Sequence, residues 1–280
     1  MNNLINYTLH LADNVLILGQ RNAEWCGHGP VLEQDIAITN ISLDLIGQAR
    51  NFYQHAAQLI NESQKAEGYF HSPLEQPIRR QAEKVANVVL LEGEVSEDSL
   101  AYLRKEREYK NCLLVEQPNG DWAQTILRQY LFSQYQYLLF EQLQNNKDEQ
   151  IAAIATKSLK EITYHLRWSS EWVIRLGDGT EESHNRILKA IDELWRYTGE
   201  MFIPVNYENE SGIDFNKMKE RWTEKVNAIL EEASLIPPPV GGEGGAFMQT
   251  GGKEGIHTEH LGFILTELQY MQRTYPGCEW

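Results

Sequence analysis

The most constraining feature of the chain is a single apolar stripe. Ile38, Ile41, Leu45, Ala49, Phe52, Ala56 and Leu59 follow one another at intervals of 3, 4, 4, 3, 4 and 3 residues. Residues so spaced lie on one face of an α-helix, so residues 32–60 are predicted to form one helix of about eight turns. A helix of that length must bury its stripe against other long helices. The same periodicity predicts helices over residues 3–26, 97–110, 121–144, 148–176, 181–201, 214–233 and 257–273, whereas alternating β-branched runs are nearly absent. Punctuation agrees. Pro30 separates the first two helices, Pro118-Asn119-Gly120-Asp121 reads as a stop followed by an N-cap, and Gly177-Asp178-Gly179-Thr180 reads as a C-cap followed by an N-cap. Two stretches interrupt the pattern: residues 62–80, with two prolines and a glycine, and residues 235–256, with three prolines and seven glycines. The expected fold is all-α, a single long-helix bundle spanning residues 1–280, with residues 62–95 as an excursion and 235–256 as a long Gly/Pro-rich return loop.

Composition narrows the functional classes. The net charge is −15, from 25 basic and 40 acidic residues, which disfavours nucleic-acid and anionic-membrane partners. Cys26, Cys112 and Cys278 are scattered and form no Cys-x-x-Cys pair, as expected of a cytoplasmic protein without disulfides or a zinc ribbon. The first residues lack a basic leader and no window holds 18 consecutive apolar residues, so neither a signal peptide nor a membrane span is expected.

A helical bundle rich in carboxylates raises the question of a dimetal site, to which two helices contribute Glu and two others Glu-x-x-His. Glu181-x-x-His184 and Glu254-x-x-His257 have the spacing, but the first lies in an opening helical turn and the second begins in the glycine-rich loop. The helix over 121–144 carries Gln129, Ser133 and Gln136 at the middle of its face, with no carboxylate among them. Glu161 and His165 lie four residues apart and could bond one another, bind a metal weakly or form a satisfied buried pair; pairing fits best, because buried charges are normally paired. Asp44 lies beside the long stripe, followed by Gly47 where a histidine would be required. Asp44 and Glu161 are expected to face one another inside the bundle, neutralised by Lys160, Arg50, Arg128 or His165. The segment Gly251-Gly252-Lys253-Glu254 departs from a phosphate loop, since a Walker motif needs glycine at 247, where Phe stands, and a hydroxyl at 254.

Five words occur in order: Glu24-Trp25-Cys26-Gly27-His28, Leu43-Asp44-Leu45-Ile46-Gly47-Gln48-Ala49-Arg50-Asn51, Leu114 to Gly120, Tyr164-His165-Leu166-Arg167-Trp168, and Thr250 to Gly262. Together they resemble the C-subunit family of the bacterial phenylacetyl-CoA epoxidase (ring oxygenase) complex. The resemblance implies a ferritin-like bundle, related to the di-iron catalytic A subunit but without its metal site, that pairs with that subunit as a structural partner in aerobic phenylacetate degradation. It places degenerate ligand positions at Asp13, Asp44, Gly47, Ser133, Glu161 and Tyr164, with His165 nearby. It further implies di-iron in the catalytic partner, a reductase carrying flavin and iron-sulfur and fed by NADPH, and a CoA thioester, phenylacetyl-CoA, held mainly by that partner. Gly251, Gly252, Lys253, His257 and His260 are expected to contact the partner or the CoA phosphates, Lys253 being the base in that loop. The competing reading is a ferritin-like carboxylate oxygenase or oxidase with an incomplete metal site of its own at Asp44, Glu161 and His165.

Overall fold

The computed structural model describes residues 2–66, 94–236, 247–276 and 278. Most of the excursion at 62–95, and residues 237–246 of the return loop, lie outside the described residues. The architecture is the expected all-α, ferritin-like bundle. Helices α1 (Asn2–Ala23) and α2 (Leu32–Ala66) pack along one another, as do α5 (Trp122–Leu143) and α6 (Glu149–Gly177), and α2 closes the bundle against α6. Helices α7 (Glu181–Leu194) and α8 (Phe215–Glu232) cover α5 and α6 from outside. Of the stripe residues Ile38 is buried, Ile41, Leu45, Ala49, Phe52 and Ala56 join the core, where Phe52 meets Phe140 edge to face at 5.9 Å, and Leu59 is half-buried against it. Trp122 receives Trp25, Trp168 and Trp172 at 5.2, 6.1 and 6.4 Å and plugs one end of the bundle.

The caps act where the sequence places them. Asp121 accepts from Gln124 N at 3.0 Å and Thr180 from Ser183 N at 3.2 Å, each satisfying an otherwise free amide of the first turn. Three expected helices differ in extent, each for a reason of tertiary structure. The segment 97–110 is helical only as α3 (Glu97–Tyr102), because the Arg104 side chain bonds back to Leu100 O and draws the chain toward α1. After a 3-10 turn at Glu106–Glu108 comes the short α4 (Leu113–Glu116). The segment 181–201 leaves α-helix at Leu194 and continues as 3-10 turns Trp195–Tyr197 and Gly199–Phe202. A side chain at Gly199 would strike Met248 at 2.7 Å, so the return loop itself occupies that side of the turn. At the C-terminal end, α9 (Glu259–Leu268) and α10 (Tyr270–Thr274) begin later than expected, since His257 belongs to the loop.

Candidate functional site

The middle of the bundle is polar but neutral. Asn22 of α1 donates to Gln129 at 2.6 Å, and Gln129 donates to Ser133 at 2.8 Å. Beside them Gln136 of α5 donates to Gln48 of α2, which in turn donates to Glu161 of α6, both at 2.8 Å. One helical turn away, Asp44 lies 3.0 Å from His165 Nε2. Asp44 and Glu161 do sit on facing helices, with His165 the partner that Asp44 takes, but both are half-exposed rather than enclosed. Lys160 is exposed, Arg50 turns to Glu97, and Arg128 serves elsewhere. Gly47 and Tyr164 point away from the centre. An added Cβ at Gly47 meets nothing within 4 Å, and Tyr164 is exposed. The inward position is Gln48, one residue further along, which sequence spacing did not single out although it lies four residues from Asp44.

Asp13 is fully buried on α1 and is held by four donors. The Arg104 guanidinium grips both oxygens, Tyr53 donates its hydroxyl at 2.5 Å, and Lys110 N donates at 2.8 Å. Arg104 stacks over Tyr109 at 4.2 Å. Burial alone would lower the pKa of this guanidinium, but the charge and hydrogen bonds of Asp13 together with the neighbouring Tyr53 and Tyr109 outweigh it and the pKa is raised, so the guanidinium stays charged. Arg128, also fully buried, donates to Gln117 O at 2.5 Å and to Asn119 Oδ1 at 2.6 Å, clamping the turn before α5. Burial without a carboxylate partner, reinforced by the nearby Arg21, lowers its pKa to about 9.

The return loop contradicts the expectation of a surface contact. Lys253 is 1% exposed, and its Nζ lies 2.9 and 3.0 Å from the two Glu208 oxygens and 3.2 Å from the carbonyls of Met201 and Ile203. No donor of Lys253 remains for a phosphate. The sequence shows one base among glycines; the missing information is Glu208, 45 residues away in the chain and equally buried. His257 places Nδ1 2.8 Å from Glu116 Oε2 and Nε2 3.0 Å from Tyr109 O. Both are acceptors, so both ring nitrogens donate. Burial opposes the imidazolium, but the Glu116 bond and charge win and the pKa is raised. Thr258 N and Oγ1 donate to the other Glu116 oxygen, so the N-cap residue of α9 is turned onto this buried carboxylate. Gly252 and Gly255 complete the fit: a Cβ there would meet Asn111 O at 2.5 Å or Arg107 O at 2.3 Å, and Gly255 has φ +83°. Gly251 N is taken by Glu200 at 2.7 Å, and of the five expected contact residues only His260 keeps a side chain partly open, against the exposed Phe263.

These residues do not fit a dimetal centre. Asp13 is neutralised by Arg104, Ser133 and Gln129 bond each other, Gly47 and Tyr164 face outward, and Glu161 is occupied by an amide. Among the described residues no three His, Cys, Asp or Glu side chains converge where they could hold one ion, Asp44, Glu161 and His165 included. The Glu-x-x-His pairs are separately engaged, His184 with Gly177 O and His257 with Glu116. Among the described residues no helix is long and apolar enough to cross a membrane.

An all-helical, ferritin-like bundle is the class of protein that this fold defines. Over residues 1–280 the chain matches the family described as Phenylacetic acid catabolic protein, and it belongs to that family. It is 43% identical over 285 residues to the C subunit of 1,2-phenylacetyl-CoA epoxidase from Escherichia coli (strain K12), covering 100% of both chains.

Proposed function

We propose that the chain is the non-catalytic, structural subunit of a multicomponent phenylacetyl-CoA epoxidase, folding as one unit that pairs with and supports the di-iron catalytic subunit. The observation that carries this reading is the hydrogen-bonded chain Gln136–Gln48–Glu161, in which two side-chain amides lie at the bundle middle and one of them holds the Glu161 carboxylate. In this reading iron, flavin, iron-sulfur and NADPH belong to the other subunits, and phenylacetyl-CoA is bound chiefly by the catalytic one. The full-length similarity to an epoxidase C subunit supports it.

The test is to purify this chain alone and together with the catalytic subunit, measuring metal content and epoxidation in each. The expected result is no stoichiometric iron and no turnover alone, with iron and activity in the pair. Two tightly held irons in the isolated chain, lost on Glu161→Ala, would falsify the reading.

A further inference from the structure

Arg128 is a buried cation without a bonded counterion. Arg104 has Asp13 and Lys253 has Glu208, but the fully buried Arg128 guanidinium meets neutral oxygens only: Gln117 O at 2.5 Å, Asn119 Oδ1 at 2.6 Å and Asn22 Oδ1 at 3.5 Å. Glu24, which acts on it at longer range, is turned to Arg21 and to Asn119 Nδ2. Arg128 Nε is buried and has no hydrogen-bond partner among the described residues. It lies on the same edge of the guanidinium as Nη2, the group that donates to Asn119 Oδ1. That edge is a fork shaped for the two oxygens of a carboxylate, and an asparagine fills half of it. The other half stays empty because Asn119 Nδ2 is itself a donor, bonded to Arg21 O and Glu24 Oε2, each at 2.8 Å. The next residue is Gly120, and this is the one Asn-Gly pair in the sequence. With no side chain at 120 to block approach, the backbone nitrogen there can act on the Asn119 side chain. Gly120 is exposed, and its N–H has no hydrogen-bond partner among the described residues.

We propose that Asn119-Gly120 is a self-modification site, at which the folded chain converts Asn119 to aspartate and so supplies the missing counterion of Arg128. Gly120 N attacks Asn119 Cγ and gives up its proton, while the Arg128 N–H at 2.6 Å stabilises the negative charge that develops on Oδ1. The Cγ–Nδ2 bond breaks, and the nitrogen takes up a proton and leaves as ammonia. Glu24, 2.8 Å from Nδ2, is placed to relay that proton. Water then adds to Cγ of the five-membered imide and the bond from Gly120 N to Cγ breaks, which restores the backbone and leaves a carboxylate. Ammonia departs and water enters, with no oxidation or reduction. Water adding instead to the main-chain carbonyl of residue 119 would give isoaspartate. That carbonyl accepts only from the Thr125 hydroxyl, at 3.0 Å, whereas a guanidinium polarises the Cγ carbonyl, so opening is directed to aspartate. The new oxygen completes the fork at Arg128 Nε.

The experiment incubates the purified full-length chain at mildly alkaline pH, folded and in guanidinium chloride, and follows the peptide that carries residue 119 by mass and by fragmentation that separates aspartate from isoaspartate. The folded chain is expected to convert at least about fivefold faster than the unfolded one, because the oxyanion donor and the carboxylate are in place only when folded. Its main product is expected to be aspartate. The Asn119→Asp variant, made directly, is expected to melt at or above the wild-type temperature, since it gives a buried cation its partner. Conversion in the folded chain that is no faster than in the unfolded chain would overturn the proposal, as would isoaspartate as the main folded product. An Asn119→Asp variant that melts below wild type would show that the carboxylate does not serve Arg128, and would overturn it as well.

Discussion

The bundle centre and the flank of α1 solve the same problem, burying polar groups, in opposite ways. At the centre the groups are amides and a hydroxyl in a neutral chain, Asn22–Gln129–Ser133 and Gln136–Gln48. Along the flank they are ions: Asp13 with Arg104, Glu208 with Lys253 and Glu116 with His257. The centre joins regular helices whose backbone is already satisfied. The flank fastens irregular backbone at 104–116, 199–208 and 251–258 onto α1, and its carboxylates accept main-chain amides at Lys110, Leu113, Val205, Gly251 and Thr258 as well as side chains. Charge is concentrated where backbone donors would otherwise go unmet.

The contrast breaks most severely at Asp13. Asp13→Ala leaves a buried guanidinium without its counterion and is expected to cost about 3–5 kcal/mol in denaturant unfolding. Replacing both partners, Asp13→Leu with Arg104→Met, should recover much of that loss; a double variant as unstable as the single would show that the backbone contacts, not the charge, dominate. Lys253→Glu sets a second carboxylate against buried Glu208 and should destabilise by roughly 3 kcal/mol or more, detectable in the isolated chain's thermal unfolding. A melt unchanged by that substitution would return Lys253 to the surface.

Acidity probes the third pair. With the folded pKa of His257 raised, its contribution is fully present below the unfolded value of about 6.5 and is lost as pH rises through the folded value. His257→Gln should therefore narrow the stability difference between pH values of about 6 and 9, and in the wild-type chain the His257 imidazole resonances should titrate above the ordinary value of about 6.5. The centre is expected to be far more tolerant. Gln48→Leu with Gln136→Leu removes both bonding partners together and should change stability by less than about 1.5 kcal/mol, provided Glu161 turns to solvent. Smallest of all, Gly47→Ala fills open space in a helix and should stabilise the isolated chain by about 0.5–1 kcal/mol.

This difference also explains what could be read from sequence. The α2 stripe, the Asp121 and Thr180 caps and the neutral face of α5 follow from local periodicity, and each stands in the structure. The end of α3 at Tyr102 does not follow, because the apolar period runs on to 110 while Arg104 is recruited by a residue 91 positions earlier. Glu116, Glu200 and Glu208 were likewise illegible as buried groups: each reads as an ordinary surface acid until its distant donors are known. Lys253 looked available for the same reason.

The distance in sequence between Glu116 and His257, 141 residues, also sets an order of events in the cell. A chain made at about 5–20 residues per second exposes Glu116 roughly 7–28 s before His257 leaves the ribosome. For that interval the core helices can collapse, but the segment at 109–116 lacks its fastening to His257. Until then Glu116 has, of its three side-chain partners, only Asn111, and the strap closes when His257 and Thr258 arrive.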